Sequence, residues 1–219
     1  MPNFLVRIWS FLSLAGPMAI PLLIASVCSL AVIIEKTVFF MRHKDDGVKL
    51  IKKIEMMVDE DDILSALNEL KGKKGPNAKL MSTALAHHSE NPERIREVLQ
   101  AVGEDEIKKM EKHLSVLDVI AMIAPLLGLL GTVLGIIDSF NILGASVGTA
   151  APAQISSGIA AALISTAVGL IIAIPTAIFY SYFSNIVERK AHEMNLSMVD
   201  IIEVVSSEDR GESNVQTFT

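Results

Sequence analysis

The stretch VIAMIAPLLGLLGTVLGIID, residues 119–138, and its continuation SFNILGASVGTAAPAQISSGIAAALISTAVGLIIAIPTAIFYSYFSNIV, residues 139–187, together hold one charged side chain, Asp138. Over the whole chain 20% of residues are Asp, Glu, Lys or Arg, so this gap is not chance scatter. A charge at the centre of a membrane helix costs about 2.5–3.5 kcal/mol on insertion scales. The gap therefore predicts two membrane-spanning helices, 119–143 and 155–183, joined by a short loop at 144–154 that contains Pro152. The single acid, Asp138 towards the end of the first of these, marks a place to look for function.

Working outward, Glu188-Arg189-Lys190 ends the apolar run. By the positive-inside rule it places the following segment, 184–205, in the cytoplasm as a helix. Residues 206–219, rich in Ser, Glu and Asp, read as a disordered tail. On the other side, Asn91-Pro92-Glu93 is a helix start, with Asn as N-cap, Pro at the first position and an acid in the first turn. Ile95, Val98, Leu99, Val102, Ile107, Met110, Leu114 and Leu117 keep a helical rhythm with no breaker before Pro125. This predicts one unbroken helix running into the second span. Residues 42–118 read as a cytoplasmic helical domain, because Arg42, Lys44, Lys49, Lys52 and Lys53 follow the first span directly. That first span is 16–41, long enough for a hydrocarbon core of about 30 Å. Residues 1–15, with Arg7 and Trp9, read as an amphipathic interfacial segment on the periplasmic side. The apolar run from Ile8 to Ile34 exceeds a signal-peptide core of about 7–15 residues, so it reads as a retained helix. The fold class is all-α: three transmembrane helices, two of them extended into the cytoplasm as long helices.

The chemistry available is sparse. The net charge of −6 argues against nucleic acid as a partner. Cys28 is the single cysteine, so there is no disulfide framework. His87-His88 lacks metal-ligand spacing, and no phosphate-cradling loop or nucleophile–base pair occurs. No cofactor, metal site or catalytic group is predicted. Small residues instead form stripes: Gly128, Gly131 and Gly135 on span two, and Gly158, Ala162, Ser165, Gly169, Ala173 and Thr176 on span three. Such stripes let membrane helices approach closely, and packing alone accounts for the glycines. Thr132, Ser165 and Thr166 add hydroxyls near mid-span. A hydroxyl there either bonds back to its own helix or lines a polar path. Pro125 and Pro175 free backbone carbonyls at similar depth, as in a hinge or lined cavity. Asp138 either meets water at the outer interface or faces the bundle interior.

Two segments carry a resemblance. PLLGLLGTVLGIIDSF, residues 125–140, and GIAAALISTAVGLIIAIP, residues 158–175, resemble the span-two and span-three signatures of the ExbB/TolQ/MotA proton-channel superfamily. The three-span layout with a large insertion after span one matches its ExbB/TolQ branch. The resemblance implies a bacterial inner-membrane protein with a periplasmic N-terminus and a cytoplasmic C-terminus. It implies a pentameric homo-oligomer around a single-span ExbD/TolR-like partner. Thr132 and Thr166, with Ser165 beside them, would line the proton path and face a carboxylate of that partner. Asp138 would be accessory, and the motion would drive TonB- or TolA-like work. Where many relatives carry a glutamate, this chain has Ala161. The alternative is therefore a non-conducting membrane scaffold that assembles and stabilises such a partner. A solute transporter fits less well, since such folds are usually built from internal repeats and none is present.

Overall fold

The computed structural model describes residues 18–42, 50, 53–54, 56–57, 63–73, 75–145 and 151–215. Its helices are α1 Ala19–Arg42, α2 Ile63–Leu70, α3 Pro76–Ala86, α4 Pro92–Glu111, α5 Leu114–Ala145 and α6 Ala151–Val215. No strand occurs among the described residues. Three stretches are long and apolar enough to cross a membrane: Ala19–Arg42, Pro92–Ile142 and Ile155–Glu203. This is the all-α, three-span class that the sequence predicts. The expected interfacial segment at 1–15, most of 43–62 and the last four residues of the tail lie outside the described residues.

The chain divides into two compact units. The first takes α1 up to Lys36 together with His113–Phe183, which is α5 and the earlier part of α6. In it α1 meets the α5–α6 hairpin at a buried cluster of Leu22, Ile120, Ala124, Val168 and Ala173, flanked by Met18, Ala25, Leu127, Ile164 and Ile172. The faces turned away from this cluster stay apolar: Leu126, Leu129, Leu163 and Ile171 are all exposed. A water-facing surface of that kind would be costly, whereas lipid or another apolar helix accepts it without loss.

The second unit contains α2, α3, α4 and the later part of α6. Its helices are conventionally amphipathic. Leu80, Met81, Ala84 and Leu85 of α3 and Ile95 and Leu99 of α4 are buried, while the intervening charges are exposed. Asn91 caps α4, its side chain accepting from the Glu93 N–H at 3.0 Å. Gly103 lets α4 approach α6, where Met194 and Met198 fill the space that a Cβ would need. At the surface Lys79 of α3 reaches Glu106 at 2.8 Å and Asp105 at 3.7 Å, and Lys109 joins both acids at 2.9 and 2.6 Å. Burial pushes the Glu106 carboxyl up, but hydrogen bonds from Lys79 and Lys109 outweigh it and hold the group below its ordinary value.

Glu69 on α2 gives a testable case of the same kind. Lys53 and Lys73 each reach its Oε1 at 2.9 Å. Hydrogen bonds from these two ammonium groups hold the carboxyl down at about 2. The folded value lies below the unfolded one, so the pairs stabilise the unit at pH above about 4 and their contribution fades as pH falls towards 2. In Lys53→Gln, the Glu69 carboxyl resonance followed by NMR should titrate at a visibly higher pH. An unmoved midpoint would contradict the assignment.

The structure corrects the sequence reading at three boundaries. The helix expected to run unbroken into span two is interrupted. Lys112 leaves the helical basin, with φ −48 and ψ 130, and His113 takes a left-handed φ of 67. The apolar rhythm misses this joint because Met110, Leu114 and Leu117 stay buried on either side of it. Second, α6 runs to Val215, ten residues into the stretch read as a disordered tail. Once a helix is nucleated, each further residue is added at little cost, and Gly211 is the residue there that opposes it most. Third, α6 begins at Ala151, inside the stretch read as loop. Pro152 is then its second residue, a position that needs no backbone donor.

Candidate functional site

The site is built on the contact between α5 and α6. The two helices run antiparallel, with Ala124 opposite Gly169, Gly128 opposite Ser165 and Thr166, Gly135 opposite Ala162, and Ser139 opposite Gly158. The approach is close enough to involve backbone. A Cβ on Gly169 would stand 2.6 Å from the Ala124 carbonyl oxygen and 3.1 Å from the Gly128 Cα. A Cβ on Gly128 would stand 3.0 Å from the Ser165 carbonyl oxygen and from the Thr166 Cα. The glycine stripe thus packs within one chain, the reading that the spacing allowed on packing grounds alone.

This close contact places the hydroxyls. Thr166 Oγ1 donates across the interface to the Gly128 carbonyl at 3.1 Å. Thr132 Oγ1 donates back along its own helix to the Leu129 carbonyl at 2.6 Å. Both side chains remain partly accessible. Their acceptors are the carbonyls of consecutive residues on α5, about 1.5 Å apart along the helix axis, so the two hydroxyls sit at nearly the same depth. Each spends its proton on a carbonyl and keeps its oxygen lone pairs free to accept. An approaching carboxylic acid could donate to either. A carboxylate could draw either hydroxyl off its carbonyl, since the Gly128 and Leu129 carbonyls also serve the helix ladder.

Ser165 is placed differently from the two threonines. It is 1% exposed, pressed against Gly131, and its buried Oγ has no hydrogen-bond partner. The hydroxyl is therefore inside the hairpin and not on a surface of the chain. Spacing put Ser165 on the same stripe as the glycines, and the stripe is the side that α5 covers.

Asp138 is exposed on α5, six residues or about 9 Å beyond Thr132. Its neighbour Ser139 is buried and donates to the Gly135 carbonyl at 2.8 Å. Ala161 is partly buried, one residue from the Ala162–Gly135 contact, and so lies between the depths of Thr132 and Asp138. Pro125 and Pro175 sit inside their helices without ending them. Near the second, Thr176 is buried and donates to the Ile172 carbonyl at 2.7 Å. Among the described residues no group of His, Cys, Asp and Glu is arranged to hold a metal ion.

One polar contact has no counterpart in the sequence reading. Glu35 is held by His113: the imidazole Nδ1 lies 3.0 Å from both Oε1 and Oε2. Lys36 is 1% exposed. The two partners are 78 residues apart, and no periodicity links them.

Comparison with known proteins bears directly on these segments. The profile of the MotA/TolQ/ExbB proton channel family matches residues 72–196, which takes in all of α5 and α6 as far as Leu196. A biopolymer transport protein ExbB-like 3 of Synechocystis sp. is 30% identical over 177 residues, covering 80% of this chain and 84% of that protein. The biopolymer transport protein ExbB of Aquifex aeolicus is 43% identical over 83 residues, 38% of this chain and 55% of its own length. The Tol-Pal system protein TolQ of Pseudomonas aeruginosa is 41% identical over 92 residues, 42% of this chain and 39% of its own.

Proposed function

From the membership of this chain in the MotA/TolQ/ExbB proton channel family, we propose that it is the ring-forming subunit of an inner-membrane energy converter. Protons driven by the membrane potential pass beside Thr132 and Thr166. They are carried by a carboxylate on a single-span, ExbD/TolR-like partner held inside a pentamer of this chain. The partner's motion drives TonB- or TolA-like work at the envelope. The N-terminus lies on the periplasmic side and the C-terminus in the cytoplasm, as the positive charge after the first span and after Val187 favours.

The observation that supports this most directly is the pair of accessible hydroxyls on a sealed hairpin. The glycine contacts remove any space between α5 and α6 for a path within one chain. Thr132 and Thr166 stay partly accessible at neighbouring depths, where a guest helix could meet both. Neither fixes a charge in the wall, so the guest's acid is free to change protonation as it moves. The low dielectric raises the cost of its charged form, and the hydroxyls offer a hydrogen bond in either state.

Ala161 favours a second reading, in which the chain assembles a partner but conducts nothing, because no ionisable side chain lies in the wall at that depth. Both readings require an assembly. Native mass spectrometry in mild detergent should show five copies with a single-span protein attached. Monomers and dimers alone would count against the ring.

A further inference from the structure

We propose that Ser165 and Gly131 form a seat that fixes Thr132 and Thr166 relative to one another, which makes Ser165 a positioning residue for the proton path; this rests on the reading of the two threonines given above. Ser165 is 1% exposed, and its Oγ has no hydrogen-bond partner. A hydroxyl on a helix ordinarily bonds back to a carbonyl three or four residues earlier, and Thr132, Ser139 and Thr176 all do so. Ser165 does not. Its Oγ lies where a Cβ of Gly131 would stand, and its own Cβ is 2.7 Å from that place. The hydroxyl is thus aimed at the bare backbone of α5, on the side of a Gly131 Cα–H, a weak donor that recurs where helices pack closely.

An unpaired buried hydroxyl costs stability, and alanine in its place would remove that cost. Stability therefore does not account for Ser165, whereas its position does. Each half of the seat is the chain neighbour of a wall hydroxyl: Gly131 precedes Thr132 on α5, and Ser165 precedes Thr166 on α6. The carbonyls that these threonines serve, on Leu129 and Gly128, lie within one turn of Gly131. A change in the spacing of Gly131 and Ser165 is therefore passed directly to both hydroxyls. Further along the hairpin the roles are exchanged: Ser139 of α5 takes the place of a Cβ on Gly158 of α6. That serine donates to the Gly135 carbonyl, so its packing needs no further account.

The surroundings allow the seat to be rebuilt from the other helix. Besides Oγ and Cβ of Ser165, the nearest atom to a Cβ on Gly131 is Met18 Cγ, at 3.4 Å, an ordinary contact. Gly131→Ala alone meets Ser165. The Oγ can rotate away, but the Cβ cannot, so the helices must shift. Ser165→Gly removes both atoms. Gly131→Ala combined with Ser165→Gly therefore refills the seat without a clash.

The test measures proton uptake, per assembled complex, in liposomes holding the chain and its co-purified partner. Gly131→Ala should lower uptake about tenfold, since a displacement near an ångström costs that much or more where reacting groups must meet. Ser165→Gly, which empties the seat, should lower it about threefold. The double variant should return to within about twofold of wild type, the non-additivity expected of two residues in contact. A double variant that conducts no better than Ser165→Gly alone would overturn the proposal, whether or not Gly131→Ala assembles. A second readout involves no protons. In a chain carrying Cys28→Ser, Thr132→Cys and Thr166→Cys, the rate at which a short bifunctional thiol reagent bridges the two introduced thiols reports their relative placement. Gly131→Ala should change that rate about fivefold, and adding Ser165→Gly should restore it. An unchanged rate in Gly131→Ala would overturn the seat. The expected pattern of bridging, with no uptake by wild type, would support the seat and contradict the proton reading of the two threonines.

Discussion

Gly169→Leu should abolish the folded hairpin and with it any assembled ring. A Cβ at this position would stand 2.6 Å from the Ala124 carbonyl oxygen and 3.1 Å from the Gly128 Cα. These are backbone atoms of α5 and cannot swing aside as a side-chain tip can. Making room means separating the helices by more than an ångström along their whole contact. That would also part Gly128 from Thr166 and Gly135 from Ala162. Membrane helices gain their association from close van der Waals packing and not from leaving water, so this loss has no compensating term. The cost should lie at the upper end of the roughly 1–3 kcal/mol typical of overpacking or beyond it, about a hundredfold or more in the folded fraction. Gly103→Leu is the control. There the neighbours are the flexible ends of Met198 and Met194, so the penalty should be smaller. Size-exclusion profiles in detergent would distinguish the two. Normal ring formation by Gly169→Leu would show that the α5–α6 contact is not the seam described.

Thr132→Val and Thr166→Val should each abolish energy coupling while leaving assembly intact. Valine keeps the branched shape, and the carbonyls that the hydroxyls now serve, on Leu129 and Gly128, retain their helix partners. Folding should therefore change by about 1 kcal/mol or less, the net worth of an ordinary hydrogen bond. A guest carboxyl group passing this wall would lose its partner in both protonation states. Asp138→Asn should have a smaller effect, since that carboxylate lies about 9 Å further along α5. Normal coupling in both valine variants, or its loss in Asp138→Asn alone, would move the proton site to Asp138.

The sequence made the class legible because charge is expensive in a membrane and the gap from 119 to 187 is long. Helix starts were equally readable where a local rule governs them, as at Asn91-Pro92-Glu93. The His113 joint was not, since a left-handed residue flanked by buried Met110 and Leu114 leaves the apolar rhythm undisturbed. Ser165 shows the matching limit for the site. Spacing places a hydroxyl on a face, but which neighbour covers that face is a tertiary fact, and here it is Gly131. The bond between Glu35 and His113 spans 78 residues and depends on how α1 docks, which no window of sequence reports.

The central claim is that protons move along Thr132 and Thr166 when a single-span partner is present. The most direct measurement is proton uptake into liposomes that contain the chain together with its co-purified partner, read by a pH-sensitive dye under an imposed potential. The account predicts uptake that requires the partner and falls at least about tenfold in Thr132→Val, at equal amounts of assembled complex. Uptake that is absent with the partner bound, or unchanged in the valine variant, would contradict it.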